Sequence, residues 1–172
     1  MVFESCLDQE TLFFAKLIRS TVHNNKQYQV DNFLNIRRRT MSITIEDTIN
    51  LFDLLKTGDT DEFFSQVADN VLWTVMGTHP LAGIYKTKND FILNTFKRLN
   101  KLLKEGVILK VNSIIVQDDT AVVEMESLST ALNDKPFNNT YCWICRFEQD
   151  IIVEVRAYVD SALVQRLINE NE

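Results

Sequence analysis

The chain is short of the groups on which much enzyme chemistry depends. It has two histidines, His23 and His79, and three cysteines, an odd number. It has no Gly-rich phosphate loop, P-loop or nucleophile elbow, so the usual backbone cradle for phosphates and the usual exposed serine turn are missing. No apolar run approaches the ~20 residues that cross a bilayer, so no membrane partner is expected. The first residues carry Glu4, Asp8 and Glu10, and Lys16 breaks their longest apolar stretch, which is not the pattern of a secretory signal. The expected location is therefore cytoplasmic, where unpaired thiols persist. Repeats and low-complexity tracts are also absent.

Two of the thiols, Cys142 and Cys145, have the spacing of a redox or zinc pair. They lie in a strand-like run, where residues three apart point to opposite faces and cannot share a metal or close an easy disulfide. Free, buried thiols are the expectation. After His23 the only histidine is His79, and a metal site needs several ligands. No metal and no cofactor is expected.

What is present is an ordinary globular composition, 45% hydrophobic and 24% charged over 172 residues. That suits one domain with an appendage. Aromatics make up 10%, including eleven Phe, which fill cores and line cavities alike. Charge divides the chain. Residues 1–40 hold six Lys/Arg against four Asp/Glu and end in Arg37-Arg38-Arg39, whereas residues 41–172 hold twelve against twenty. An acidic body without a basic stripe repels phosphate backbones, so nucleic acid is not an expected partner. Residues 1–40 show only a weak helical pattern around Leu12, Phe13, Leu17 and Ile18. Met41-Ser-Ile-Thr-Ile-Glu-Asp reads as a natural start, so residues 1–40 are expected to be a flexible or spurious extension and 41–172 the domain.

From Thr44 the pattern sharpens. Thr44-x-x-Asp47 is a capping box, and Ile45, Ile49, Phe52 and Leu55 recur at helical spacing until Gly58. A short helix is expected over Asp59–Val67, a strand over Val71–Met76, and a long helix over Lys88–Glu105 stopped by Gly106. Four strands follow, over Val107–Val116, Thr120–Ser129, Asn139–Phe147 and Ile151–Val159. Hairpin turns are expected at Asp118-Asp119 and Glu148–Asp150, and a closing helix over Ala162–Ile168. Helices followed by consecutive strands predict an α+β fold, with helices on one face of a curved sheet and a hollow between the layers.

Three stretches carry a family resemblance: Trp73-Thr-Val-Met-Gly77, His79-Pro-Leu-Ala-Gly-Ile-Tyr85, and Glu154-Val-Arg-Ala-Tyr-Val-Asp160. Through them the chain from about Ser42 to Asn169 resembles the SnoaL-like polyketide cyclases and ketosteroid-isomerase-like proteins of the nuclear-transport-factor-2-like superfamily. The resemblance implies a cone-shaped α+β barrel of mixed or antiparallel strands wrapped around N-terminal helices. It also implies a deep apolar cavity, a small apolar ligand and a homodimer. A carboxylate near the end of the last strand is the acid/base of the cyclase members, and Asp160 is the matching position. The last hairpin departs from the family in having Gln149-Asp150 where glycine is common.

Arg156, Tyr158 and Asp160 alternate along the last strand and so share a face. Facing an apolar hollow, Asp160 would move a proton beside a ketone while Tyr158 donates to the enolate oxygen, with Arg156 nearby. Asp160 also stands where it would cap the last helix, and Arg156 could pair with Glu124 or Glu126 across strands. His79, held extended by Pro80, is either a base or donor at the cavity mouth or a loop histidine bonded to backbone. The pocket wall is expected from Trp73, Met76 and Tyr85, with Tyr141 and Trp143 sharing one strand face. The function expected is binding of a small molecule, with isomerisation, cyclisation or hydration by proton transfer. A non-catalytic binding or dimerisation module is the other reading.

Overall fold

The computed structural model describes residues 43–172. The extension expected over residues 1–40 lies outside them. Helix α1, Ile45–Thr57, opens with the expected capping box: Thr44 Oγ1 accepts from Asp47 N–H at 3.1 Å, and the Asp47 carboxylate accepts from Thr44 N–H at 3.3 Å. It ends where Gly58 takes the left-handed conformation, φ 81°. Helix α2, Thr60–Ser65, is shorter than expected because strand β1, Val67–Val75, already begins at Val67. The early residues of β1 pair irregularly, with a register shift between Val67 and Leu72, and this blurs the alternation that marks a strand.

A loop leads to β2, Gly83–Tyr85, and then to helix α3. That helix runs as three segments: α-helical Lys88–Phe91, π-helical Ile92–Phe96 and α-helical Lys97–Asn100. It stops five residues before the expected Glu105. Leu103 instead makes an isolated bridge to Ala131. Strands β3 (Leu109–Gln117) and β4 (Thr120–Ser127) follow, then a small ribbon of β5 (Ser129–Thr130) and β6 (Pro136–Phe137). Strands β7 (Thr140–Glu148) and β8 (Ile151–Val159) and helix α4 (Ser161–Asn171) complete the described chain.

The main sheet has the order β2-β1-β8-β7-β4-β3. Every pairing is antiparallel except β1 with β8, which is parallel, so the sheet is mixed. Register shifts in the β1–β8, β3–β4 and β7–β8 pairs bend it, and it stays open at β2 and β3 rather than closing into a barrel. One face takes the helices. There Phe52 and Phe63, both fully buried, meet Trp143 edge-on or tilted at 6.0 and 6.3 Å between ring centres. Trp73, also fully buried, stacks on Phe91 at 3.8 Å and meets Trp143 edge-on at 5.1 Å. This aromatic layer is where much of the phenylalanine goes.

Cys145 is buried and Cys142 half-buried on the opposite face of β7, and both are free, as the strand geometry requires.

Candidate functional site

A cavity lies between the inner face of the sheet and the helices. The sheet contributes Trp73 and Val75 from β1, Tyr141 and Trp143 from β7, and Ala157 and Val159 from β8. Helix α3 contributes Phe91, Thr95, Phe96 and Leu99, and the loop after β1 contributes His79 and Leu81. Ala157 is the smallest side chain on this wall, flanked in register by Val75 on one side and Trp143 on the other. The π-helical turn adds one residue to the ring of hydrogen bonds. It brings both Thr95 and Phe96 to the wall beside Phe91 and Leu99. Thr95 Oγ1 donates back to the Phe91 carbonyl at 2.5 Å, which leaves only its lone pairs for anything else.

The wall is almost wholly apolar, which makes its polar atoms informative. Among the described residues, three buried side-chain polar atoms have no hydrogen-bond partner: Trp73 Nε1, His79 Nε2 and Tyr141 Oη. All three residues line this one cavity. A buried polar group left unpaired costs about 1–3 kcal/mol, so three in one hollow form a set awaiting a partner.

The loop geometry decides what His79 offers. The Leu81 N–H points at His79 Nδ1, 3.2 Å away, so Nδ1 is the acceptor and the proton of the neutral ring sits on Nε2. Nε2–H is therefore the ring's donor, on a residue that lines the cavity. The ring is 5% exposed, and its pKa is lowered mainly by burial, an effect that the nearby Met76 backbone carbonyl partly offsets. Protonating Nδ1 would also set two N–H groups against each other. The tyrosine behaves alike: burial pushes the Tyr141 phenol well above its ordinary pKa, so it keeps its proton. Indole N–H, imidazole N–H and phenol O–H are thus three unpartnered donors on residues of one cavity wall. Gly77, at φ 114°, makes the tight approach possible. A Cβ there would run into Ser161 Oγ and crowd His79 Cδ2 at 3.2 Å.

The expected residues divide between two places. Trp73, His79, Tyr141 and Trp143 come together on the cavity wall. Arg156, Tyr158 and Asp160 share a face as expected, but it is the other face of the sheet, and all three side chains are exposed. The reason is the parity of β8: Val155 and Ala157 are buried at 0% and 4% exposure, so their neighbours turn outward. Asp160 caps α4, its carboxylate accepting from Ala162 N–H at 2.9 Å and Leu163 N–H at 3.3 Å. Arg156 is flanked across the strands by Thr74 and Ile144 rather than by a glutamate, and Glu126 pairs with Lys110 instead. Met76 is half-buried at the end of β1, its N–H bonded to the Ala157 carbonyl, and it is not on the cavity wall. Tyr85 backs onto Phe91, 5.8 Å between rings, but its hydroxyl donates to the Leu81 carbonyl at 2.9 Å on the outer side of the loop. Phe91, Thr95, Phe96 and Leu99 fall within the helix expected over Lys88–Glu105, yet helical spacing does not distinguish cavity from core.

No protein-family model matches the chain. Among solved structures, a nuclear-transport-factor-2-like protein of Burkholderia thailandensis superposes with a TM-score of 0.62 at 21% identity, covering 72% of this chain and 95% of that one. A second such protein, from Burkholderia pseudomallei, gives a TM-score of 0.58 at 19% identity, covering 72% and 95%. The chain has the nuclear-transport-factor-2-like fold. Two proteins of fungal origin are similar in sequence. Dimerizing cyclase phiC of a fungal species (strain ATCC 74256) is 31% identical over 118 residues, 66% of this chain and 52% of its own length. Dimerizing cyclase tstC of Talaromyces stipitatus is 30% identical over 118 residues, with the same shares. The chain spans about half the length of the curated relatives it matches.

Proposed function

We propose that this chain binds a small, largely apolar carbonyl compound in the cavity and promotes cyclase- or isomerase-type chemistry by stabilising its enolate. The carrying observation is that Trp73 Nε1–H, His79 Nε2–H and Tyr141 O–H, each without a partner, belong to three residues that line one apolar hollow. The likeness to two cyclases supports the reaction class. A carbonyl oxygen accepts from these donors, and as a hydroxide or buffer base from solvent removes the α-proton, the C–H electron pair moves into the enolate. Negative charge then grows on the oxygen that the donors already face, which is where fixed dipoles lower a barrier most. The enolate carbon either takes a proton back, giving isomerisation, or attacks a carbon electrophile, closing a ring. His79 acts as an electrophile in this scheme, and Asp160 takes no part.

The test is α-hydrogen exchange into 2-tetralone in D2O, followed by proton NMR. Exchange above background that drops in Tyr141→Phe is expected. Binding of the ketone with exchange at the background rate, in wild type and variant alike, would leave a non-catalytic binding module.

We also propose a homodimer that uses the outer face of the sheet. One register row crosses all six strands there: Ile84, Thr74, Arg156, Ile144, Val122 and Ile115. Its two end isoleucines are 65% and 64% exposed, and only one of the six side chains is charged. Sedimentation equilibrium checks this: Ile144→Glu should shift the protein toward monomer, and a monomeric wild type would end the idea.

A further inference from the structure

The three unpartnered donors of the cavity wall belong to the sheet and to the loop after β1: Trp73 on β1, Tyr141 on β7 and His79 in the loop. Helix α3 forms the wall across from the sheet, and it contributes one polar side chain there, Thr95, among Phe91, Phe96 and Leu99. Thr95 is 4% exposed. Its Oγ1 has a single proton, which goes to the Phe91 carbonyl, so the oxygen can only accept a further hydrogen bond. Among the described residues no group donates to it. The helical side of the cavity is therefore an acceptor, where the sheet and loop sides are donors.

A hydroxyl buried in an apolar wall carries a desolvation cost that valine, of nearly the same shape, would avoid. The bond to Phe91 satisfies the proton and leaves the lone pairs dry. Such a bond is by itself an ordinary way to bury a threonine. Thr48, buried in α1, makes the same one to the Thr44 carbonyl at 2.8 Å, and it is not on the cavity wall. What sets Thr95 apart is its place. It lines the cavity, and it lies within the π-helical turn Ile92–Phe96, a rare local structure that is frequent at functional sites.

We propose that Thr95 determines specificity: its Oγ1 accepts a hydrogen bond from a hydroxyl carried by the carbonyl compound, so that the ligand is an apolar hydroxy ketone held between helix and sheet. The inference rests on the carbonyl reading above and adds the substrate class. A carbonyl alone leaves the Thr95 lone pairs unmet, and a hydroxyl at the other end meets them. The probes are 3′- and 4′-hydroxyacetophenone, each beside its fluoro counterpart, in which fluorine nearly keeps the size and removes the proton. They are titrated calorimetrically into wild type, Thr95→Val, Thr95→Ser, Thr48→Val and Tyr141→Phe. In wild type at least one hydroxy probe should bind about five- to tenfold tighter than its fluoro counterpart, the worth of one hydrogen bond. Thr95→Val should erase that preference and leave the fluoro probes unchanged, while Thr95→Ser and Thr48→Val should keep it. Tyr141→Phe should weaken every probe. No preference in wild type, with every probe weakened by Tyr141→Phe, would overturn the role of Thr95 and keep the carbonyl reading. A preference that survives Thr95→Val and falls with Tyr141→Phe would put the hydroxyl among the donors and overturn that role as well. A preference lost in Thr95→Val, with no probe weakened by Tyr141→Phe, would support Thr95 as the acceptor and remove the carbonyl reading. Failure of all four probes to bind wild type would overturn the two together.

Discussion

The two faces of the sheet are made by the same strands and differ in almost every physical respect. On the inner face, Val75, Ala157, Trp143, Val123 and Ile114 form a register row of apolar side chains beneath the helices. One residue along, Thr74, Arg156, Ile144, Val122 and Ile115 form the outer row. The inner face is apolar, yet among the described residues it and the loop after β1 hold three buried polar atoms with no hydrogen-bond partner. The outer face is richer in charge, and the ion pairs recorded there are solvated, as Arg146 with Glu148 and Glu154 shows. Reactive groups are thus abundant where water already satisfies them and sparse where they are unsatisfied. An unsatisfied donor in a dry site is worth far more to a ligand than an exposed one.

The largest contrast should appear in stability. Trp73→Ala removes a fully buried ring stacked on Phe91 and should cost about 3–5 kcal/mol. Tyr158→Ala, on a side chain 44% exposed, should stay within about 0.5 kcal/mol in a monomer. Chemical denaturation of both variants measures the difference, and comparable losses would mean that the outer face is covered in solution.

Tyr141→Phe turns the contrast into one of function. Removing an unpartnered hydroxyl should leave stability unchanged or raise it by about 1 kcal/mol, whereas losing one donor from an oxyanion site costs about 10²–10³ in turnover. A melt combined with the α-exchange rate separates the two. A variant that is both less stable and fully active would show that the hydroxyl is structural.

His79 should give the inner face a pH signature. Its pKa is depressed in the folded state, so the unfolded chain takes up the proton first as acid is added. Stability from this group is complete above the ordinary histidine pKa near 6.5 and is lost as pH falls below it toward the depressed folded value. His79→Gln should flatten that part of the melting-temperature profile between pH 7.5 and 5. An unchanged slope would place the ring in contact with water.

Much of this architecture could be read from residue order. The capping box at Thr44, the periodic helix after it, the four late strands and the pairing of Tyr141 with Trp143 on one face are local patterns, and local patterns survive folding. The alternation of Arg156, Tyr158 and Asp160 was equally legible, but parity gives the sharing of a face and not which face. That choice is made by long-range burial of Val155 and Ala157 against the aromatic layer. The parallel β1–β8 pairing was hidden for the same reason, since it joins residues some eighty positions apart. Nor can spacing show a missing partner: His79 as a donor depends on where the Leu81 N–H points.

The smaller effects sit at the ends of β8, where the expected catalytic carboxylate proved to be a cap. Asp160→Ala should cost about 1 kcal/mol through α4 and leave turnover intact, while Asp160→Asn, another good capping residue, should cost less. Loss of activity in the asparagine variant without loss of stability would return Asp160 to the reaction. At the other end, Gln149 and Asp150 both take left-handed backbone angles, φ 50° and 65°. A two-residue hairpin turn with both residues left-handed favours Asn-Gly, because a side chain there crowds the following carbonyl. Replacing the pair with Asn-Gly should stabilise the hairpin by about 0.5–1 kcal/mol, less than the strain relieved, since glycine adds freedom to the unfolded chain. The gain should appear in the melting temperature alone, because the turn does not line the cavity. A change in ligand affinity would mean that the β7–β8 register reaches the inner wall.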